Sequence, residues 1–212
     1  MPPLRRALPD LLLLAVGLAC ASGAPTLPVP AELAHGIELD GSGGEDLLQI
    51  DPRRKGFTLS DASGHSLARF RIEPDAVRIE TPAGQLRARV LRPVDATPEI
   101  RIVAGSGDER LYTLIREPDG DLRLVGASGE LLYEIKQRRY GLKVTDAAGQ
   151  LDSKVRVKPD KISIRNALGR TMASTRDPIP PVAAACLALR TLDIGYRAGL
   201  ALAIIYWRTD HP

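Results

Sequence analysis

Apolar and polar residues alternate through the middle of the chain in six copies of one eight-residue pattern, which we name the octad. In each octad the first and third residues are aliphatic or aromatic, and the eighth is glycine. The six octads are FTLSDASG from Phe57, VRIETPAG from Val77, IRIVAGSG from Ile100, LRLVGASG from Leu122, LKVTDAAG from Leu142 and ISIRNALG from Ile162. Apolar residues two apart lie on one face of a strand, and glycine readily takes the positive φ that reverses the chain. The pattern therefore predicts six hairpins with about twelve strands.

The segment after each octad has one apolar and one charged face. Ala68, Phe70 and Ile72 alternate with arginines, and Val155 alternates with lysine and arginine. This alternation is typical of an antiparallel sheet with one face on a core and the other in water. Pro-Asp breaks such as the EPD that begins at Glu73 separate the hairpins, because proline cannot donate a hydrogen bond to a strand ladder.

The chain also contains a longer internal repeat, in which residues 56–84 align without gaps with residues 141–169. Repeats of fixed period can indicate a propeller or a solenoid. A propeller blade uses four strands, so six hairpins would make only about three blades, below the usual minimum of about four. A β-solenoid would not need a turn glycine and a Pro-Asp break in alternation. We therefore predict a closed or nearly closed antiparallel barrel.

The pattern changes near the carboxyl terminus, where residues 182–207 are rich in Ala, Leu and Ile. A helix of this length spans about 39 Å, which is enough to cross a bilayer. However, Arg190, Asp193 and Arg197 lie near its middle, where each charge costs about 2.5–3.5 kcal/mol in a membrane. A twelve-stranded barrel is too wide to be filled by its own side chains alone. We therefore predict that the helix threads the barrel and that the three charges form a buried group, with Asp193 paired with Arg190 or Arg197 inside the lumen or at its mouth; a membrane span is the alternative.

Twelve strands in hairpins around a hydrophobic C-terminal helix resemble the tubby-like fold, in particular its LURP-one-related and phospholipid-scramblase branch. The resemblance rests on the six octads and on LALRTLDIGYRAGLALAIIYW from Leu187, and it covers roughly residues 46–207. It implies a mainly β fold. Tubby proteins bind phosphoinositides through basic side chains, and scramblases are linked to calcium and lipid movement. Neither site aligns with residues of this chain, and the acidic calcium segment and the cysteine-rich palmitoylation segment have no counterpart in it.

The amino terminus resembles a bacterial lipoprotein signal. Arg5 and Arg6 precede the apolar run LLLLAVGLA, and Cys20 follows it directly. We predict that a lipid such as palmitate is attached to Cys20 and anchors the protein to a membrane of the bacterial cell envelope; ordinary signal cleavage is the alternative. The predicted organisation is a signal peptide at 1–19, a lipidated N-terminus and Pro/Gly-rich spacer at 20–45, a barrel at 46–207 with a central helix at 182–207, and a tail at 208–212.

The sequence contains little that points to chemistry. Its three histidines are isolated, and of its two cysteines one, Cys186, lies in the apolar C-terminal segment. No pair of these residues has the spacing of metal ligands, and the cysteine has no base near it in sequence. We therefore expect no catalysis and neither a metal nor another cofactor.

The charge distribution is more informative. The formal net charge of +3 is too small an excess for a nucleic-acid-binding protein. Local groups of basic residues fit either the solvated face of a barrel or a surface for anions. We expect a non-catalytic domain that binds an anionic lipid or an envelope partner; a purely structural lipoprotein and a scramblase-like lipid-transfer protein are the alternatives. The candidate anion-binding face consists of Arg87, Arg89, Lys154, Arg156 and Lys158.

Overall fold

Antiparallel strands form one closed barrel in a computed structural model that describes residues 29–30, 33–44, 46–93 and 99–208. The described residues contain fourteen strands: β1 (Ile37–Asp40), β2 (Asp46–Arg53), β3 (Gly56–Asp61), β4 (Ser66–Ile72), β5 (Ala76–Glu80), β6 (Leu86–Leu91), β7 (Glu99–Ala104), β8 (Arg110–Arg116), β9 (Leu122–Gly126), β10 (Leu131–Arg138), β11 (Gly141–Asp146), β12 (Leu151–Lys158), β13 (Lys161–Asn166) and β14 (Thr171–Thr175). Each strand pairs with its neighbours in the chain, and β1 closes the barrel by pairing with β14.

Each octad forms the first strand and the turn of a hairpin, which confirms this part of the prediction. In the β3–β4 turn the Gly64 N–H donates to the Asp61 carbonyl at 2.9 Å, and Gly64 has a φ of 80°. The Asp61 carboxylate accepts two further backbone N–H bonds. The pairing slips by one residue after Leu59, as in a turn followed by a bulge. The β7–β8 turn differs, because Gly105 and not the octad glycine Gly107 has a positive φ.

The barrel has one hairpin more than predicted, because β1 and β2 form a pair ahead of the first octad. The barrel therefore begins at Ile37, and the prediction of a spacer up to residue 45 is wrong. The segment IELDGSGG from Ile37 fits the octad itself. Ile37 and Leu39 are buried, and Gly44 has a φ of 83°. The glycine content of this segment is that of a hairpin turn and not that of a linker.

The C-terminal segment forms two helices, α1 (Pro181–Leu187) and α2 (Ile194–Arg208), and not the single predicted helix 182–207. One helix of that length would span about 39 Å, whereas the longest strands have 8 residues, about 27 Å. Residues 188–193 are not helical and connect α1 to α2, and the two helices pack against each other. Two helices side by side need a wider lumen than one, which agrees with fourteen strands in place of twelve.

The two helices fill the lumen of the barrel. α1 contacts β11, β12 and β13, whereas α2 contacts β4, β5 and β6 on the other side. The inward side chains Ala68, Phe70 and Ile79 are fully buried against α2. Gly199 of α2 approaches this wall so closely that a Cβ there would lie 2.6 Å from Ile79 Cδ1. The hydrophobic core therefore lies between the two helices and the inner face of the barrel wall. The outer faces of the strands are in contact with solvent.

The barrel has two distinct ends. The octad turns lie at one end, which we name the turn end, and the connections between hairpins lie at the other, the corner end. The linker between the helices lies at the turn end, where Arg190 contacts Asp152 and Asp193 contacts Arg87. The chain before β1 enters at the corner end, next to the buried side chain of Leu33.

Candidate anion-binding face

A row of cations crosses four adjacent strands on the outer face of the barrel. Lys136 on β10 lies opposite Lys143 on β11, which in turn lies opposite Lys154 on β12. Lys154 lies opposite Arg165 on β13. The four side chains are half-buried, and the residue that precedes each of them along its strand is buried. We name these four residues the cation row.

The cation row is poorly compensated. Like charges directly opposite each other destabilise a sheet. Lys136 has a carboxylate partner, Glu134, at 2.9 Å. Lys143, Lys154 and Arg165 have no ion pair within the part of the chain that the structure describes, and the Arg165 Nε is buried without a hydrogen-bond partner. The row therefore costs the fold stability and leaves positive charge free to attract an anion.

Further cations extend the cation row toward the corner end. Arg156 and Lys158 are exposed on β12, and Lys158 lies opposite Lys161 on β13. The exposed Arg138 and Arg139 lie at the β10–β11 connection. Three of the five residues predicted for anion binding, Lys154, Arg156 and Lys158, thus lie on this face.

The internal repeat supplies a comparison within the same molecule. Residues 56–84 correspond to the residues 85 positions later, and the same offset relates β2 to β10 ahead of them. The positions equivalent to the cation row also lie opposite one another, on β2, β3, β4 and β5. They hold Asp51, Thr58, Arg69 and Glu80, which we name the compensated row. The barrel therefore accepts two carboxylates and one cation where the second half has four cations, so the architecture does not require a uniformly positive row.

Glu80 accounts for much of this difference. Its carboxylate is almost fully buried, 3.2 Å from Arg71 Nε and 3.7 Å from Arg78 Nε. An open cleft of about 310 Å³ lies beside it, lined in part by four cations. Glu80 neutralises charge in that half, whereas Arg165 at the equivalent position adds charge in the other.

Arg87 and Arg89, predicted for the same face, lie on β6, far around the barrel from β12. The Arg87 Nη1 is 3.2 Å from Asp193 Oδ1, and its guanidinium lies 5.2 Å from the ring centre of Tyr196. Arg89 pairs with Asp108 at 3.0 Å. The structure therefore divides the predicted face in two, and the β6 part is engaged in contacts within the protein.

The three charges predicted to form a buried group are not clustered on a helix face. Arg190 and Asp193 lie in the linker between the helices, with side chains 57% and 43% exposed. Arg190 pairs with Asp152 at 2.7 Å, and this hydrogen bond raises the pKa of Arg190. Asp193 caps α2 by accepting the Gly195 N–H at 2.9 Å. In the structure the ion-pair partner of Asp193 is Arg87 and that of Arg190 is Asp152, in place of the predicted pairing of Asp193 with Arg190 or Arg197, because the helix breaks here.

Arg197 is the half-buried member of the three. Its Nη1 donates to the Leu187 carbonyl at 3.1 Å, and its Nε is buried without a hydrogen-bond partner. Burial lowers the pKa of Arg197, and the nearby Asp193 carboxylate opposes this shift. A cation at the carboxyl end of α1 interacts favourably with the helix dipole. Arg197 therefore links the two helices.

The described residues offer few other candidates for a functional site. The described residues contain no group of three or more His, Cys, Asp or Glu side chains placed to hold a metal ion. Cys186 is fully buried, and burial raises the pKa of its thiol. Among the helices that the structure describes, none is long and apolar enough to cross a membrane. Cys20, the predicted signal peptide and residues 209–212 lie outside the described residues, so the signal peptide and the lipidation stay predictions.

The predicted anion-binding face does not include Lys136, Lys143 and Arg165. Only the pairing of β10 to β13 brings them beside Lys154. One signal was present in the sequence, since Lys143 and Arg165 occupy the second and fourth positions of their octads. These positions point away from the core when the first and third point toward it.

Comparison with known proteins does not assign a family. No protein-family model and no curated protein matches the chain. Among solved structures, the chain is similar to a protein from Arabidopsis thaliana, with 13% sequence identity, a TM-score of 0.40, and coverage of 74% of this chain and 90% of that one. It is also similar to an alternansucrase in complex with isomaltononaose, with 12% identity, a TM-score of 0.18, and coverage of 70% of this chain and 13% of that one. Similarities this distant carry no functional argument.

Proposed function

We propose that this protein is a non-catalytic domain, anchored in a bacterial cell envelope, that binds anionic lipid headgroups through the cation row. The observation that carries the proposal is the contrast between the cation row and the compensated row at equivalent positions of one barrel. Cations placed opposite each other cost stability, and an anionic partner would offset that cost. This offset supports an anionic partner for the cation row.

The shape of the face favours a surface over an enclosed ligand. Neighbouring strands lie about 4.7–4.9 Å apart, so the four charges of the cation row span roughly 14 Å. The row lies on the outside of a closed barrel and is continued by exposed cations toward the corner end. An extended row of this kind suits a layer of many anions, and near an anionic membrane each Lys or Arg contributes about 1 kcal/mol.

The predicted anchor is compatible with this contact. The chain before β1 enters at the corner end, where Lys158 and Lys161 also lie. The 13 residues from Cys20 to Leu33 reach at most about 45 Å when extended. A lipid on Cys20 would therefore hold the cation row within reach of the membrane surface.

We also propose that the barrel is a divergent member of the tubby-like folds. A closed barrel of hairpins with apolar C-terminal helices in its lumen supports this assignment. Fourteen strands and two helices depart from the twelve strands and one helix that the resemblance implies. The proposal concerns the fold and assigns no ligand site.

Vesicle flotation tests the lipid-binding function, with the full chain carrying Cys20→Ser so that no lipid is attached there. We expect binding to vesicles that contain phosphatidylglycerol, no binding to phosphatidylcholine alone, and weaker binding as salt is raised. The variant Lys136→Asp/Lys143→Thr/Arg165→Glu gives the cation row the charges of the compensated row, so it should fold. At about 1 kcal/mol per cation, loss of three cations weakens binding roughly 100-fold or more.

The matched control changes charge elsewhere on the barrel. Arg101→Glu/Arg116→Glu alters exposed arginines on β7 and β8, with nearly the same change in net charge. We expect this control to bind anionic vesicles much more tightly than the cation-row variant. Equal weakening in both would show that net charge and not this face is responsible. Failure of the unsubstituted chain to bind either vesicle would refute lipid binding and favour an interaction lipoprotein.

A further inference from the structure

The turn between β13 and β14 holds an apolar side chain in water. Leu168 is 80% exposed, more than any other large apolar residue in the described part of the chain. The turn is closed by hydrogen bonds, since the Gly169 N–H donates to the Asn166 carbonyl at 2.9 Å and the Arg170 N–H donates to Asn166 Oδ1 at 3.0 Å. The exposure of Leu168 is therefore built into an ordered turn.

The other hairpins have small residues at this position. Leu168 is the seventh residue of its octad. The seventh residues of the other octads, with the β1–β2 hairpin included, are Gly43, Ser63, Ala83, Ser106, Ser128 and Ala148. Hairpins of the same barrel therefore form with glycine, alanine or serine at this position, and folding does not require a leucine.

Leu168 lies close to the cation row. Arg165, the last member of the row, precedes it by three residues on the same hairpin. The exposed Arg170 follows two residues later. The equivalent position in the other half, Ala83, adjoins the compensated row and is small. The exposed leucine thus occurs in the half of the barrel that also has the uncompensated cations.

We propose that Leu168 inserts into the apolar edge of an anionic membrane while the cation row binds the headgroups. This inference rests on the proposed function and adds a contact that does not depend on charge. Burial of one leucine side chain corresponds to a factor of roughly 10 to 100 in partitioning. Salt screens the cation row but does not weaken burial of the leucine.

Two substitutions of Leu168 test the insertion, in the full chain carrying Cys20→Ser. Leu168→Ser introduces the residue found in three other hairpins, and it should weaken binding to phosphatidylglycerol vesicles roughly 10- to 100-fold. Its binding to heparin, a soluble polyanion without an apolar region, should be unchanged. Leu168→Trp should show a shift of emission to shorter wavelength when anionic vesicles are added, because the native Trp207 is already buried.

A relocated leucine provides the matched control. Ala83→Leu/Leu168→Ser moves the side chain to the equivalent turn beside the compensated row, and it should bind vesicles no better than Leu168→Ser. Full recovery of binding in this variant would overturn insertion next to the cation row. Unchanged vesicle binding of Leu168→Ser, or no emission shift with Leu168→Trp, would overturn insertion while headgroup binding stands. If the unsubstituted chain fails to bind vesicles, both proposals fall.

Discussion

Replacing Asp193 separates two interactions that hold the start of α2. Asp193 Oδ1 accepts the Gly195 N–H at 2.9 Å and lies 3.2 Å from Arg87 Nη1. Because the Asp193 side chain is 43% exposed, the ion pair contributes at most about 1 kcal/mol before screening. A helix N-cap contributes typically about 1 kcal/mol. Asp193→Ala should therefore lower the free energy of unfolding by about 1–2 kcal/mol. Breaking a buried ion pair would cost more, about 3–5 kcal/mol.

Asp193→Asn is the matched control. Asparagine is about as favourable as aspartate at a helix N-cap, but it carries no charge. It should lower the free energy of unfolding by only about 0.5 kcal/mol. Urea unfolding followed by circular dichroism measures both variants, and a double-mutant cycle with Arg87→Gln isolates the coupling of the pair. If the asparagine variant loses as much stability as the alanine variant, the charge and not the cap holds α2. No loss in either would contradict both contacts.

Three further substitutions test the packing and the anchor. Gly199→Ala should destabilise the barrel by up to about 2 kcal/mol, because crowding of Ile79 outweighs the gain in helix propensity. Adding Ile79→Val should recover part of that loss in urea unfolding, whereas a more stable Gly199→Ala protein would contradict the close approach. Leu200→Asp should prevent folding, as judged by circular dichroism, because Leu200 is fully buried; a folded variant would place α2 outside the core. Cys20→Ser should move the protein to the soluble fraction and stop palmitate labelling, and retention after a high-salt wash would show that the anchor lies elsewhere.

The hairpins were predictable because their signals are local. Apolar residues two apart mark the inner face of a strand, and Gly64 marks the turn that follows it with a positive φ. The β1–β2 hairpin carried the same signal from Ile37 to Gly44, but its three glycines favoured the interpretation as a spacer. The octad was therefore a better guide to the strands than local composition.

The break in the C-terminal segment was not predictable from its hydrophobicity. The residues around Arg190 and Asp193 have no proline and continue the apolar pattern, so a single helix was the simpler prediction. The length of the strands decides otherwise, because a wall of strands no longer than about 27 Å cannot enclose a helix of roughly 39 Å. The same constraint links the second helix to the wider barrel of fourteen strands.

The sequence by itself determined which residues form strands, which turn, and which side of each strand is apolar, because these properties depend on residues within one octad. Closure of the barrel decided which charges meet. Lys136 and Arg165 are far apart in the chain and become members of one row only through the pairing of β10 to β13. Arg87, predicted to lie with Lys154, lies instead on β6, where its side chain pairs with Asp193. Strand register relates residues distant in sequence, so a function that depends on neighbouring cations on different strands is decided by the tertiary structure.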